Sequence, residues 1–452
     1  MLQKFDYLIM AKIENNEATQ VRRGKLDTTH LRKAFFSVSS VYFLGLPLTF
    51  LAQILLARLF SVEEFGAFGF ALSLATVASI PVVAGLPMLL TREVSRYVQV
   101  GDVSKYRGLV HRAYLWIVVT SVVLLLSCLI VWHFRFPNNE AESVYQIALV
   151  GILVPILSLN SSRSGIMKGL GFPSISEGPT QILQPLFLIA GYLGLNSLGK
   201  LTLLSALTWY VIASFLVFLI SYVILAIMQP RNIRAFKPDY DDQPLWLRAI
   251  LPFAAMSMLW TLSAQAAVLL LGVFSNPEAV AAMRVAERGA MLISFPLMFI
   301  NASIGPHIVS QFRQGDTAQL QNTLRYGARL ATVVALPIAG LLVIAGRPLI
   351  SLTFGEDYSE ISYAPMIVLV IGQTISVLIG PAGILLIMTG LEKLNLSILI
   401  VALAFSLIIT VLLIDRFGAI GAAIGAAGYV ILASALAYWA ALIKHGLRSS
   451  IF

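Results

Sequence analysis

The stretch AAMRVAERGAML, residues 281–292, lies within a long apolar run and carries Arg284, Glu287 and Arg288. On a helix at 100° per residue, with Arg284 at zero, Glu287 falls at about −60° and Arg288 at about +40°. The three charges therefore share one face. Met291, Phe295, Met298 and Ala302 continue that face within about 40° of Arg284. Two guanidiniums one turn apart can each present a bidentate fork to phosphate or carboxylate oxygens. Glu287 can orient one of them or exchange a proton. The alternative is an ion pair, within the helix or between helices, that only fixes packing. At 1.5 Å per residue, Arg284 lies roughly 7 Å and Arg288 roughly 13 Å inside a hydrocarbon layer about 30 Å thick. Facing lipid, three such charges cost on the order of 9 kcal/mol. They are expected to face a wet cavity or each other. Arg284 is within snorkelling reach of the outer surface, whereas Arg288 is not.

The elements that hold these residues follow from composition. Hydrophobic residues make up 58% of the chain and charged residues 12%, against about 25% charged in soluble domains. Mean hydropathy is +0.86. The chain reads as an all-α polytopic membrane protein. Twelve apolar runs are long enough to cross a bilayer: 34–57, 66–91, 110–133, 144–166, 180–198, 202–228, 247–273, 279–305, 326–346, 363–388, 395–414 and 418–443. Internal prolines, among them Pro47, Pro81, Pro87 and Pro252, are expected to kink several of them. Residues 1–33 are polar and lack a signal-peptide core, so they read as a cytoplasmic leader with a short interfacial helix at its start. Cys128, the single cysteine, reads as a small core residue and offers no disulfide or metal site.

Orientation follows from the basic residues. With the N-terminus inside, 24 Lys and Arg fall on the cytoplasmic side and 5 on the other. This predicts a cytoplasmic membrane protein with both termini inside. It also accounts for the net charge of +9 without nucleic acid as a partner. GLNSLGK at 194–200 has the Gly-to-Lys spacing of a phosphate loop, but Leu201 follows and no strand precedes it, so it is dismissed. No loop is large enough for a catalytic domain, and the chain reads as a transporter rather than an enzyme.

Two halves are legible. The loop 229–246 separates a six-span lobe, 34–228, from a second, 247–443, followed by a tail, 444–452. Phe60, Ser61 and Glu64 match Phe274, Ser275 and Glu278 at one offset, and GIMKGLG (165–171) matches LIMTGLE (386–392) at a similar one. Six spans per half makes this a parallel repeat, which predicts two lobes with a substrate seam between them.

LLARLFSVEEFGAFGFALSLATVASIPVVAGLPMLLTREVSRY (55–97), MKGLGFPSISEGP (167–179) and RFGAIGAAIGAAGY (416–429) resemble polysaccharide flippases. These form a branch of the multidrug/oligosaccharidyl-lipid/polysaccharide exporter superfamily. The resemblance covers nearly all of the chain after residue 34. It implies two six-helix bundles in a V, with spans one, two, seven and eight lining a central cavity. It implies a polyprenyl-diphosphate-linked oligosaccharide (an O-antigen, capsule or exopolysaccharide repeat unit) moved from inner to outer leaflet. It implies work among membrane lipids, beside a polysaccharide polymerase and chain-length machinery. No cofactor is implied, although Na⁺ or H⁺ coupling without an assignable site is.

Weaker candidates for the cavity are Tyr42 and Gln53 in span one, Arg92 at the inner end of span two, Trp260 and Gln265 in span seven, and Asn301 in span eight. Each also fits an ordinary interhelical hydrogen bond or interfacial anchor. The glycines 418, 421, 425 and 428 read as a close-packed helix face. Two other functions compete. An ion-coupled multidrug or metabolite antiporter typically carries an acid in span one, and span one here has none. A glycan polymerase or ligase needs a large outer loop, and the chain has none.

Overall fold

The computed structural model describes residues 28–135, 141–229 and 236–451. The expected leader helix and the side chain of Cys128 lie outside the described residues. The first lobe holds α1 (Thr28–Leu59), α2 (Val62–Ala78), α3 (Ile80–Val83), α4 (Leu86–Val100), α5 (Val103–Arg135), α6 (Ala141–Gly169), α7 (Pro173–Gly178), α8 (Gln184–Ser197) and α9 (Leu203–Met228). The second holds α10 (Gln243–Phe274), α11 (Pro277–Gln314), α12 (Thr317–Thr353), α13 (Glu356–Ile379), α14 (Ala382–Met388) and α15 (Glu392–His445). No strand occurs among the described residues.

Ten helices are long and apolar enough to cross a membrane. Two further crossings complete the expected twelve. α15 has 54 residues, but Gly418 takes φ 50° and ψ −125° and folds it into a hairpin. The second arm packs on the first so closely that a Cβ at Gly421 would meet the Leu413 carbonyl oxygen at 2.6 Å, and one at Gly425 the Thr410 hydroxyl at 2.0 Å. The expected glycine face is present, except that Gly418 makes the turn. The other crossing, Pro173–Ser197, is interrupted by a π-helical turn at Pro179–Leu183, so that neither of its α-helical pieces spans a membrane alone. Span two is broken as its prolines suggest. Ala84 and Gly85 have φ of 39° and 71°, and the α10 backbone at Phe253 comes within 2.4 Å of where a Gly85 Cβ would stand.

The two lobes form a V. One large core joins them at the end bearing the α1–α2 turn, with Leu56 and Phe65 from one lobe and Met283, Ala335 and Tyr358 from the other. At the opposite, basic end there are two separate cores, one around Leu90, Ile117 and Ile166 that also takes Trp246 and Phe253 of α10, the other around Leu324, Leu385 and Ala441. The joined end is also latched by polar contacts. Arg58 of α1 donates to the carbonyls of Thr353 (2.8 Å), Ser351 (3.2 Å) and Leu352, capping the C-terminus of α12. The Tyr358 hydroxyl donates to the Ala57 carbonyl at 3.3 Å.

The interlobe connection is strapped to the first lobe. The Asp239 amide donates to the Ser104 carbonyl, and Trp246 enters the core of that lobe. Asp242 accepts from Tyr97 (2.7 Å), Arg96 (2.6 Å) and Lys105 (3.1 Å). The Tyr97 hydroxyl bond, followed by Lys105 and Arg96, holds the Asp242 carboxyl below the usual carboxylate range. A carboxylate depressed in the folded state stabilises above its unfolded pKa, about 3.9, and loses that contribution as pH falls through the lower folded value. Asp242→Asn is therefore expected to lower the melting temperature at pH 7. The gap to the parent should narrow below about pH 4. Thermal scans of purified protein across pH check this, and a gap independent of pH would count against the assignment.

Candidate functional site

α11 starts cleanly because Asn276 caps it, its side chain accepting from the Ala279 amide at 2.9 Å, with Pro277 in its first turn. The equivalent start of α2 is capped by Ser61 in a reciprocal box with Glu64. The offset that pairs Ser61 with Ser275 thus runs one residue ahead of the cap. Both starts lie at the joined end of the V, where α2 and α11 cross closely. A Cβ at Gly66 would lie 1.8 Å from the Pro277 carbonyl oxygen, and one at Gly69 would lie 3.2 Å from Cγ of Arg284. At Gly66 only glycine permits that crossing.

Arg284 is turned into this crossing. Its Nη2 donates to the Gly69 carbonyl (3.2 Å), to the Ser73 hydroxyl and to Oε1 of Gln265 (3.1 Å). Its Nη1 lies 3.4 Å from Oε2 of Glu287. Although within snorkelling reach of the outer surface, Arg284 turns inward. The side chain is 14% exposed, because acceptors on α2 and α10 lie nearer than the water at the helix end. One guanidinium thus ties α11 to both α2 and α10.

Arg288, one turn deeper, behaves differently. It has no ion-pair partner among the described residues, its Nε is buried without a hydrogen-bond partner, and its Nη1 reaches only the Met291 sulfur at 3.9 Å. It lines a pocket of about 260 Å³ between α1 and α11, walled by Leu46, Pro47, Thr49, Phe50, Met291 and Phe295. Glu287 attracts it through space but makes no ion pair with it, and a cation held in this way among mainly apolar groups is costly. An anion carrying an apolar tail would relieve that cost on both counts. Further along the same face Met298 is 45% exposed and Ala302 is exposed. The face that begins buried against α2 therefore becomes exposed toward the basic end.

The weaker candidates are scattered. Gln265 joins Arg284. Gln53 lines a second cavity, inside the first lobe, beside Gln184 and Tyr210. Tyr42 donates to Glu177 at 3.3 Å. Trp260 is 48% exposed on α10. The Asn301 oxygen Oδ1 is buried without a partner. Arg92 pairs with Glu93 at 2.7 Å and stacks over Phe253. Sequence reasoning missed Gly66, Gly69 and Ser73, whose only signal is the small-residue spacing in FGAFGFALS. Arg163, counted among the cytoplasmic charges, is fully buried in α6, donating to the Ser176 carbonyl at 3.1 Å and to the Met167 sulfur.

Residues 31–312 match the family described as polysaccharide biosynthesis protein. No curated protein sequence matches the chain. Among solved structures the fold is similar to the inward-facing conformation of a multidrug resistance MATE family transporter of the MOP superfamily, with a TM-score of 0.71 and 15% identity over 90% of this chain and 94% of that one. The outward-facing conformation of a MATE family transporter of that superfamily gives 0.64, with 16% identity over 91% of this chain and 95% of that one. The lipid II flippase MurJ in an inward closed conformation gives 0.68, with 14% identity over 89% of this chain and 87% of that one.

Proposed function

The chain belongs to the polysaccharide biosynthesis protein family, and from that membership we propose that it is a flippase for a polyprenyl-diphosphate-linked oligosaccharide. The substrate is an O-antigen, capsule or exopolysaccharide repeat unit. It enters from the inner leaflet and leaves in the outer leaflet as one lobe rocks against the other. The excess of basic residues at the open end of the V orients that end, with both termini, to the cytoplasm of a bacterial or archaeal cell.

The observation that carries this reading is Arg288. Its guanidinium makes no ion pair among the described residues, has a buried Nε without a partner and lines a mainly apolar pocket between α1 and α11. A diphosphate supplies a contact ion pair, and the attached prenyl chain suits the apolar walls. Arg284 and Glu287 hold the α2–α11 crossing while the outer end is closed, and they are released to the substrate when it opens. An ion gradient or the membrane potential drives the cycle, and a polymerase with its chain-length machinery receives the product.

The test is leaflet transfer in proteoliposomes with a lipid-linked oligosaccharide added to one side. Expected is protein-dependent appearance of the sugar in the opposite leaflet with no new glycosidic bond. Polymer growth would make the chain a glycan polymerase. Ion-driven drug efflux without lipid transfer would make it an antiporter.

A further inference from the structure

The first lobe contains a second cavity, which the diphosphate reading does not use. It measures about 310 Å³ and lies among α1, α2, α8, α9 and the π-helical turn. At about 300–1,000 Å³ for ligand pockets, that is room for one ring and little more. Three primary amides line it, Gln53, Gln181 and Gln184, with Thr49 and Tyr210 beside them. Gln184 is committed, its Nε2 donating to the Ser214 hydroxyl at 3.1 Å. Gln53 and Gln181 make no side-chain hydrogen bond among the described residues, so each presents two donors and an acceptor to the cavity. The aromatic rings of Phe68 and Tyr192 complete the wall. No Asp, Glu, Lys or Arg lines it.

We infer that this cavity is the subsite for the sugar nearest the diphosphate, and that it takes an uncharged hexose or N-acetylhexosamine. The argument has three parts. First, the chemistry fits. A pyranose ring has hydroxyls that each donate and accept and a C–H face that suits an aromatic ring, and uncommitted amides match the former. Leaving such amides unpaired against a ligand without hydroxyls costs affinity. Second, the wall carries no charge. A bare cation asks for anionic or several carbonyl oxygens, and an acidic sugar asks for a guanidinium or ammonium. Third, the cavity adjoins the anion pocket, since Thr49 lines both and Tyr210 of this cavity lies within electrostatic reach of Arg288. A diphosphate held at Arg288 thus brings its first sugar beside this cavity.

The inference rests on the diphosphate reading, and one binding experiment separates the two. Purified full-length protein is titrated by native mass spectrometry with a polyprenyl diphosphate, and with the same lipid carrying one hexose or one N-acetylhexosamine. At least one sugar-bearing lipid is expected to bind about fivefold or more tighter than the sugar-free lipid, the worth of one or two net hydrogen bonds. The Gln53→Leu/Gln181→Leu double variant should remove that advantage. Arg288→Ala should weaken all three lipids together. Equal binding of sugar-free and sugar-bearing lipids by the parent, or an advantage that survives in the double variant, overturns the sugar subsite and leaves the diphosphate reading standing. Lipid binding indifferent to Arg288→Ala overturns the diphosphate reading itself.

Discussion

Arg288→Ala is expected to reduce lipid-linked oligosaccharide transfer by roughly 10- to 100-fold while leaving the protein as stable as its parent or more so. The first half of this expectation comes from the ligand. A guanidinium bound to a diphosphate makes charge-assisted bonds worth about 1.5–3 kcal/mol, and about 1.4 kcal/mol is a factor of ten. The second half comes from the empty site. The Arg288 guanidinium has an unpartnered Nε and no carboxylate within ion-pair distance among the described residues, so deleting it removes a desolvation cost and breaks no ion pair, and Glu287 keeps Arg284 as its partner. Arg288→Met, which also refills the apolar volume, should gain stability more clearly. Arg288→Lys keeps the charge and loses the bidentate fork, so its transfer rate should fall between the two. The pair of measurements is transfer in proteoliposomes and melting temperature in detergent. A structural ion pair would give the opposite pattern, with lower stability in every variant and transfer falling only as folded protein is lost. Parent-level transfer in both Arg288→Ala and Arg288→Lys would remove Arg288 from the site.

The contrast between Arg284 and Arg288 marks how far sequence reasoning reaches here. Their shared face and different depths follow from helix geometry, and the structure places both on that face. What each touches does not follow. Two of the three acceptors for Arg284 Nη2 beyond Glu287 lie on α2, one of them the Gly69 backbone carbonyl and the other the Ser73 hydroxyl. A backbone oxygen has no sequence signal, and serine is common in any membrane helix. The twelve spans were legible because lipid imposes a minimum apolar length, even for Pro173–Ser197, where helix continuity fails but hydropathy does not. The hairpin within α15 was half legible. Glycines at 421, 425 and 428 announce close packing, whereas the backward turn at Gly418 depends on a φ of 50° that no spacing encodes. The burial of Arg163 was not legible either, because a basic residue near a loop looks like an exposed anchor, yet α6 continues to Gly169 and packs Arg163 within the lobe.

The closed end of the V depends on one residue more than on any charge. Gly66→Ala is expected to disfavour the closed seam. The added Cβ would stand 1.8 Å from the Pro277 oxygen and 2.5 Å from its carbon, both backbone atoms that no rotamer change can move. α2 and α11 must separate, and with them Arg284 must give up Gly69 and Ser73. Gly69→Ala makes a useful comparison, since its Cβ meets only the flexible Arg284 side chain at 3.2 Å. Overpacking costs about 1–3 kcal/mol. Applied to the closed state alone, that shifts the population about 5- to 150-fold toward the open seam. Alternating access needs both states, so transfer should fall steeply for Gly66→Ala and modestly for Gly69→Ala. Spin labels at Ser197→Cys and Arg416→Cys, exposed positions on the two lobes, report the seam once Cys128 is replaced by serine. The distance distribution should move to longer values in the order parent, Gly69→Ala, Gly66→Ala. A Gly66→Ala protein with the distances and transfer of its parent would mean that the crossing of α2 and α11 is not the gate. The seam would then have to open through the other contacts that join the lobes, the Arg58 cap on α12 and the Tyr358 bond to α1.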